Sequence, residues 1–172
     1  CIPTKAFCRS AEVAATATSA AEFGIILPEG AVTPDMPTIV ARKNTIVEQL
    51  REGVAAVTAN AEVLHGTASF ITPKEITVGE QRFSAPKILI ATGSEAARLP
   101  IPGADLCLTS TEMLDITTIP ASLAVIGGGV IGMEFASIFA AFGTEVTVIE
   151  YCKEILPPFD KEIAKRLRTT LQ

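Results

Sequence analysis

Histidine occurs once, at His65, and cysteine four times, at Cys1, Cys8, Cys107 and Cys152. The four thiols show none of the paired spacings from which zinc sites are built, so no metal centre is expected. Basic residues are also scarce: 14 Lys and Arg against 19 Asp and Glu leave a net charge of −5. Without a basic face a chain cannot neutralise the phosphates of a nucleic acid, which excludes that partner. The one basic cluster, Lys161, Lys165, Arg166 and Arg168, alternates with Ile163, Ala164 and Leu167. That is the pattern of an amphipathic helix with a solvated face. Long apolar runs are missing too. The longest uncharged stretch, residues 116–133, contains Pro120 and the glycines Gly127, Gly128, Gly129 and Gly132. It suits a buried strand–turn–helix better than a membrane span. There is no initiator Met and no cationic leader, so no targeting segment is expected, and an opening on Cys1 suggests that residues precede it. The acidic, cysteine-poor composition fits a reducing cytoplasm, where a disulfide would more readily be catalytic than structural.

Apolar residues make up 48% of the chain, enough to form a packed core. Residues 4–23 are rich in alanine and read as a helix stopped by Gly24. After a loop punctuated by Pro28, Gly30, Pro34 and Pro37, an interrupted apolar stripe (Val40, Ile46, Val47, Leu50, Val54, Val57) predicts a second helix over 38–58. Short β-type runs follow at 62–64, 68–71, 75–78 and 87–91, separated by Pro73, Gly79 and Pro86, which suggests a small antiparallel meander. The run 87–91 is apolar on both faces and ends in Thr92-Gly93, as a strand buried on both sides would. Residues 95–120 carry Pro100, Pro102, Gly103 and Pro120 and read as a connector between domains.

A new unit begins near residue 121: a strand over 123–126, a glycine turn, a helix over 131–142 with Gly143 as its stop, and a strand over 145–149. Pro157-Pro158 then breaks the chain, and Asp160 is placed to cap a last helix. The turn reads Gly127-Gly128-Gly129-Val130-Ile131-Gly132 and fits G-x-G-x-x-G between a strand and a helix, the context that gives this otherwise weak pattern its meaning. Gly127 permits a tight turn, Gly129 lets backbone approach a diphosphate, and Gly132 lets helix pack closely on strand. The helix N-terminus meanwhile presents free N–H groups to the anion. Ala136 and Ala140 continue the small face begun at Gly132. Glu150, closing the second strand, is placed to accept hydrogen bonds from the ribose 2′-hydroxyl of NAD. Like-charge repulsion of a 2′-phosphate at that position would favour NAD over NADP by roughly three decades in affinity. Lys153 is the only cation close in sequence.

Four segments in order resemble the pyridine nucleotide–disulfide oxidoreductase family, over essentially the whole chain. Cys1-Ile2-Pro3-Thr4-Lys5 resembles the second half of its redox motif, Cys-x-x-x-x-Cys-Ile-Pro-Thr/Ser-Lys. Ile90-Ala91-Thr92-Gly93-Ser94 resembles its Ala-Thr-Gly segment, and residues 124–134 resemble its NAD turn. Glu150, Ile155-Leu156-Pro157 and Phe159-Asp160 complete the series. Within the family, Ile2-Pro3-Thr4-Lys5 is similar to the branch that oxidises dihydrolipoamide. Phe7-Cys8 departs from a common Leu-Leu pair, and Ala96 stands where a proline is frequent.

The resemblance implies an α/β fold. A partial FAD-binding domain over 1–120, made of helices and a small antiparallel meander with a connector at about 95–120, precedes the first half of a Rossmann-type NAD-binding domain over 121–172. It implies FAD and NAD as cofactors, and Cys1 as the redox cysteine nearest the flavin, where a helix N-terminus favours the thiolate. Lys5 would stand beside the flavin's reactive edge with Glu134 as its carboxylate partner, and a buried Lys–Glu pair stays charged only if each finds the other. Ala91, Thr92 and Gly93 would lie along the FAD, and Gly127, Gly129, Val130, Ile131, Gly132, Glu134 and Glu150 along the NAD. His65 matches no catalytic position of the family, and Cys8, Cys107 and Cys152 are expected only to pack. The intact protein would be a homodimer serving a 2-oxo acid dehydrogenase or related lipoyl-bearing complex, with no nucleic-acid or membrane partner. The first redox cysteine, the FAD-type glycine turn and the family's His–Glu acid/base pair are not in the sequence, so this stretch alone is expected to be inactive and weakly stable. Two alternatives stay open: another disulfide reductase of the family, and a non-catalytic nucleotide-binding module.

Overall fold

A computed structural model describes residues 1–28 and 30–171. The first helix, α1 (Ile2–Thr18), starts two residues earlier than its alanine content suggests, because Pro3 suits the first turn, where a missing N–H costs nothing. It ends sooner as well, giving way to a 3-10 turn over Ala20–Phe23 before the chain leaves at Gly24. Helix α2 (Met36–Val57) follows. Strands β1 (Ala68–Thr72), β2 (Glu75–Val78) and β3 (Gln81–Ser84) form an antiparallel meander in that order. Its β1–β2 register shifts between Phe70 and Thr72. A short α3 (Ser110–Met113) is closed by a capping box in which the Thr109 amide donates to Glu112. Strands β4 (Ser122–Ile126) and β5 (Glu145–Ile149) pair in parallel around α4 (Val130–Ala141), and α5 (Lys161–Leu171) ends the described chain. Asp160 caps α5 by accepting the amides of Glu162 and Ile163, as its position predicts.

The fold is mixed α/β, and its contacts divide it into two compact units. One comprises Cys1–Gln49 with Arg98–Gln172 and the other Leu50–Ala97, so the boundary falls within α2. The first unit holds the main core. Phe7, Ala11 and Ala14 of α1 cluster with Phe135, Ile138 and Phe139 of α4, together with Met36, Met113 and Phe142. Phe7 and Phe139 are both fully excluded from water. The seam is aromatic along α4, where Phe135 stacks on Phe139 and Phe139 meets Phe142 edge-on. A smaller cluster of Met133, Ile155, Leu156 and Ala164 holds α5 and the residues before it against the other side of α4. Lys43 of α2, almost wholly buried, is satisfied by the Leu114 carbonyl at 2.9 Å and the Asp115 carboxylate at 2.6 Å, which ties α2 to the end of α3.

In the second unit two expected strands do not form. Residues 62–64 are irregular, and so are residues 87–91, whose Leu89 and Ile90 are 89% and 67% exposed. A strand buried on both faces needs a ladder neighbour at its edge and cover above and below. Among the described residues none pairs with 87–91. The third strand of the meander is instead Gln81–Ser84, whose only apolar residue, Phe83, gives too faint an alternation to stand out in sequence.

These burial differences set the expected effect of core truncation. Phe139→Ala should cost about 3–5 kcal/mol in denaturant unfolding, whereas Leu89→Ala should stay within about 0.5 kcal/mol. Equal losses at the two positions would contradict the placement of the core on the α1–α4 seam.

Candidate functional site

The glycine turn lies between β4 and α4 and is shaped by two backbone requirements. Gly127 adopts φ 107°, a conformation that side chains disfavour. A Cβ added at Gly132 would fall 2.1 Å from the Gly127 carbonyl oxygen and 3.1 Å from Val125, so only glycine allows α4 to begin this close to the strand. Gly129 is the N-cap of α4, and a Cβ built there meets nothing within 4 Å. The first amides of the helix have no partner within it. Val130 and Ile131 are exposed at that end. Such a set of main-chain N–H groups, at Gly129, Val130, Ile131 and Gly132, could hold a diphosphate.

Glu150 follows directly on β5. One carboxylate oxygen accepts the Gly128 amide and the other the Cys152 amide, each at 2.6 Å. The Cys152 amide and then the Gly128 amide hold its pKa below the ordinary carboxylate range. Sequence pattern pointed Glu150 only at a ribose, and its main-chain partners were not foreseen. The middle glycine of the turn carries a signal that could have raised the question. Gly128 occupies an unrestricted position of the motif, yet a Cβ there would meet the Glu150 carboxylate and Ile155 at 3.1 Å each. A cavity of about 500 Å³ opens beside the same residues, lined in part by Val146, Val148, Glu150, Lys153 and Arg168.

At the other face of α4, Glu134 forms an ion pair with Lys5 of α1, 129 positions away in sequence. The expected contact is present, but the expected burial is not: the side chains are 61% and 27% exposed. The hydrogen bond that Lys5 donates to Glu134 raises the Lys5 pKa. A raised lysine pKa means that the pair's contribution is complete below the ordinary lysine value, about 10.4, and is lost only as pH climbs through the higher folded-state value. Cys1 is the N-cap of α1, exposed, with its carbonyl accepting the Lys5 amide at 3.0 Å. Cys8, one turn beyond Lys5, packs against the main core, and burial followed by the charge of Glu134 pushes its thiol pKa up. Cys152 is also pushed up, chiefly by its hydrogen bond to Glu150. All four thiols are free.

Ala91, Thr92 and Gly93 belong to the second compact unit and Lys5 to the first. The three residues form an exposed irregular segment, with Gly93 at φ 77° and no atom within 4 Å of an added Cβ. Backbone this open suits contact with an extended ligand. His65 is exposed. Among the described residues no cluster of His, Cys, Asp and Glu could hold a metal ion, and no helix is long and apolar enough to cross a membrane.

Comparison with known proteins gives a consistent result. A family model described as pyridine nucleotide-disulphide oxidoreductase matches residues 1–172. A dihydrolipoyl dehydrogenase of Bacillus subtilis (strain 168) is 38% identical over 180 residues, covering 100% of this chain and 39% of that protein. Another from Acholeplasma laidlawii is also 38% identical, covering 100% of this chain and 53% of that protein. Among solved structures, the Cu(II) complex of the HOCl-induced flavoprotein disulfide reductase RclA from Escherichia coli superposes with a TM-score of 0.77 at 32% identity, over 99% of this chain and 36% of that one. The chain thus spans well under two thirds of the length of each of these proteins.

The lowered pKa of Glu150 fixes a sign. A carboxylate with a depressed folded-state pKa stabilises the fold above its unfolded value, about 4.3, and that contribution disappears as pH falls through the folded value. The Gly128 amide proton resonance should therefore hold steady from about pH 8 to pH 5 and move only in more acidic solution. A midpoint near pH 6 would contradict the carboxylate contact.

Proposed function

Because this chain belongs to the pyridine nucleotide-disulphide oxidoreductase family, a family of oxidoreductase enzymes with FAD and NAD(H) as cofactors, we propose that it forms part of an FAD-dependent, NAD-linked enzyme that oxidises dihydrolipoamide. The observation that carries this reading is the Lys5–Glu134 ion pair. It joins the helix that opens on Cys1 to the helix that opens on the glycine turn. The names of the dihydrolipoyl dehydrogenase relatives support the substrate.

In this reading residues 1–120 belong to the FAD-binding domain and residues 121–172 to the NAD-binding domain. Ala91, Thr92 and Gly93 lie along the FAD through their backbone. Gly129, Val130, Ile131 and Gly132 bind the diphosphate of NAD, Gly127 shapes the turn, and Glu150 takes the adenosine ribose. When bound, FAD carries an electron pair between the substrate thiols and the nicotinamide. The chain's own residues supply electrostatics and placement. Cys1, at a helix N-terminus, is held where the thiolate is favoured. Lys5 offers a cation one turn along the same helix, and its hydrogen bond to Glu134 orients that cation. The thiols of Cys8 and Cys152, with raised pKa values, stay protonated and do not compete. The complete protein would be a cytoplasmic homodimer serving a lipoyl-bearing 2-oxo acid dehydrogenase complex, with neither a nucleic-acid nor a membrane partner. A second reading, reduction of a different disulfide, is favoured by the likeness to the Escherichia coli flavoprotein disulfide reductase.

Turnover by the protein expressed from its complete reading frame separates the two. Dihydrolipoamide oxidation with NAD preferred over NADP by roughly three decades supports the first, and efficient reduction of glutathione disulfide with NADPH would refute it. Lys5→Met should lower kcat by about 10²-fold, the scale on which a charge aimed at a reacting centre acts. Its effect on thermal stability should be small, because an exposed pair is screened by solvent. A variant of unchanged kcat would remove Lys5 from the reaction.

A further inference from the structure

The residues that follow β5 do more than end a strand. The Ile149 carbonyl accepts the Gly127 amide at 2.8 Å, and the Glu150 carboxylate accepts the Gly128 amide at 2.6 Å. The Leu156 amide donates to the Gly128 carbonyl at 2.8 Å. Gly128 is therefore gripped at both its N–H and its C=O by one seven-residue segment, 150–156. The grip is tight, since an added Cβ would lie 3.1 Å from Glu150 Oε2 and 3.1 Å from Ile155 Cγ2. Leu156 reaches Gly128 from φ 51°, the only positive value at a non-glycine among the described residues. Branched and bulky side chains disfavour that region. Leu156 is held there by burial against Met133, Ile155 and Ala164, the cluster that also seats α5. Backbone in a sparsely populated region persists only where its surroundings over-determine it, and such places gather at functional turns.

We propose that Glu150 is a positioning residue for the diphosphate as well as a ligand for the sugar: with Leu156 it clamps Gly128, and the clamp presets the neighbouring amides of Gly129 to Gly132. This inference rests on the dinucleotide site proposed above. Glu150 has the lone pairs for both tasks, since each oxygen has one backbone donor and can accept a further bond from a ribose hydroxyl. Binding of the two halves of the nucleotide is then coupled through one carboxylate. A substitution meant only to change sugar preference also loosens the grip on phosphate.

The test uses ADP and 2′,3′-dideoxyadenosine diphosphate, which keeps the diphosphate and base but has no sugar hydroxyl. Affinities are measured by calorimetry on the protein from its complete reading frame, for wild type, Glu150→Ala, Gly128→Ala and the double variant. The clamp predicts that each single substitution weakens the dideoxy nucleotide about tenfold, the effect of one lost hydrogen bond on an equilibrium. Because both substitutions break the same contact, the double variant should lose little more than either single one. If Glu150→Ala weakens ADP but leaves the dideoxy nucleotide unchanged, Glu150 acts on the sugar alone and the inference falls. Additive losses in the double variant overturn it too. Should Glu150→Ala fail to fold, Gly128→Ala decides by itself: it adds one methyl group to the turn and leaves the carboxylate in place, and unchanged dideoxy affinity refutes the clamp. A wild-type protein that binds neither nucleotide would remove the dinucleotide site itself.

Discussion

Helix α1 lies on α4 through a water-free aromatic seam, and the meeting of Lys5 with Glu134 follows from that contact. Phe7 and Phe139 are its most buried members, with Ala11 and Ala14 giving α1 the small surface that lets it approach. Burying such side chains contributes about 1.5–3 kcal/mol each, far more than the exposed ion pair at the edge of the seam could supply. The Lys5–Glu134 pair is thus a consequence of the packing and not its cause. Apolar residues fix the register of the two helices, and the charges meet because that register allows it.

The other side of α4 is held with equal strictness by backbone. Gly132 permits the helix to start against the Gly127 carbonyl, and segment 150–156 grips Gly128 from outside. One helix therefore carries the glycine turn at its N-terminus and a carboxylate one turn later. Aromatic packing fixes one and main-chain hydrogen bonds fix the other. Electrostatics follow from these placements. Backbone amides lower the Glu150 pKa, and the hydrogen bond that Lys5 donates to Glu134 raises that of Lys5.

Much of this was legible in the sequence because the features are local. The strand–glycine–helix–strand order around Gly127 to Glu150, the Asp160 cap and the meander strands at 68–72 and 75–78 follow from periodicity and turn chemistry over a few residues. The contact between Lys5 and Glu134 was reached through resemblance to a family, since nothing local links positions 129 apart. The exposed state of 87–91 was not legible: an apolar run records that burial is favourable without saying which neighbour provides it. Strand β3 escaped because Gln81, Arg82 and Ser84 give almost no alternation. The grip on Gly128 escaped for a different reason, being made largely of main-chain atoms that every sequence possesses.

In the proposed function, the α1–α4 contact brings a redox thiol, a cation and a nucleotide-binding turn to one flavin. A crystal structure of the complete protein with FAD and NAD bound tests it most directly. The expected arrangement has Lys5 Nζ within about 4 Å of both Glu134 and the reactive edge of the flavin, Cys1 Sγ against the same ring, and the NAD diphosphate on the amides of Gly129 to Gly132. A flavin seated away from Lys5, or a diphosphate bound anywhere but the glycine turn, would contradict it.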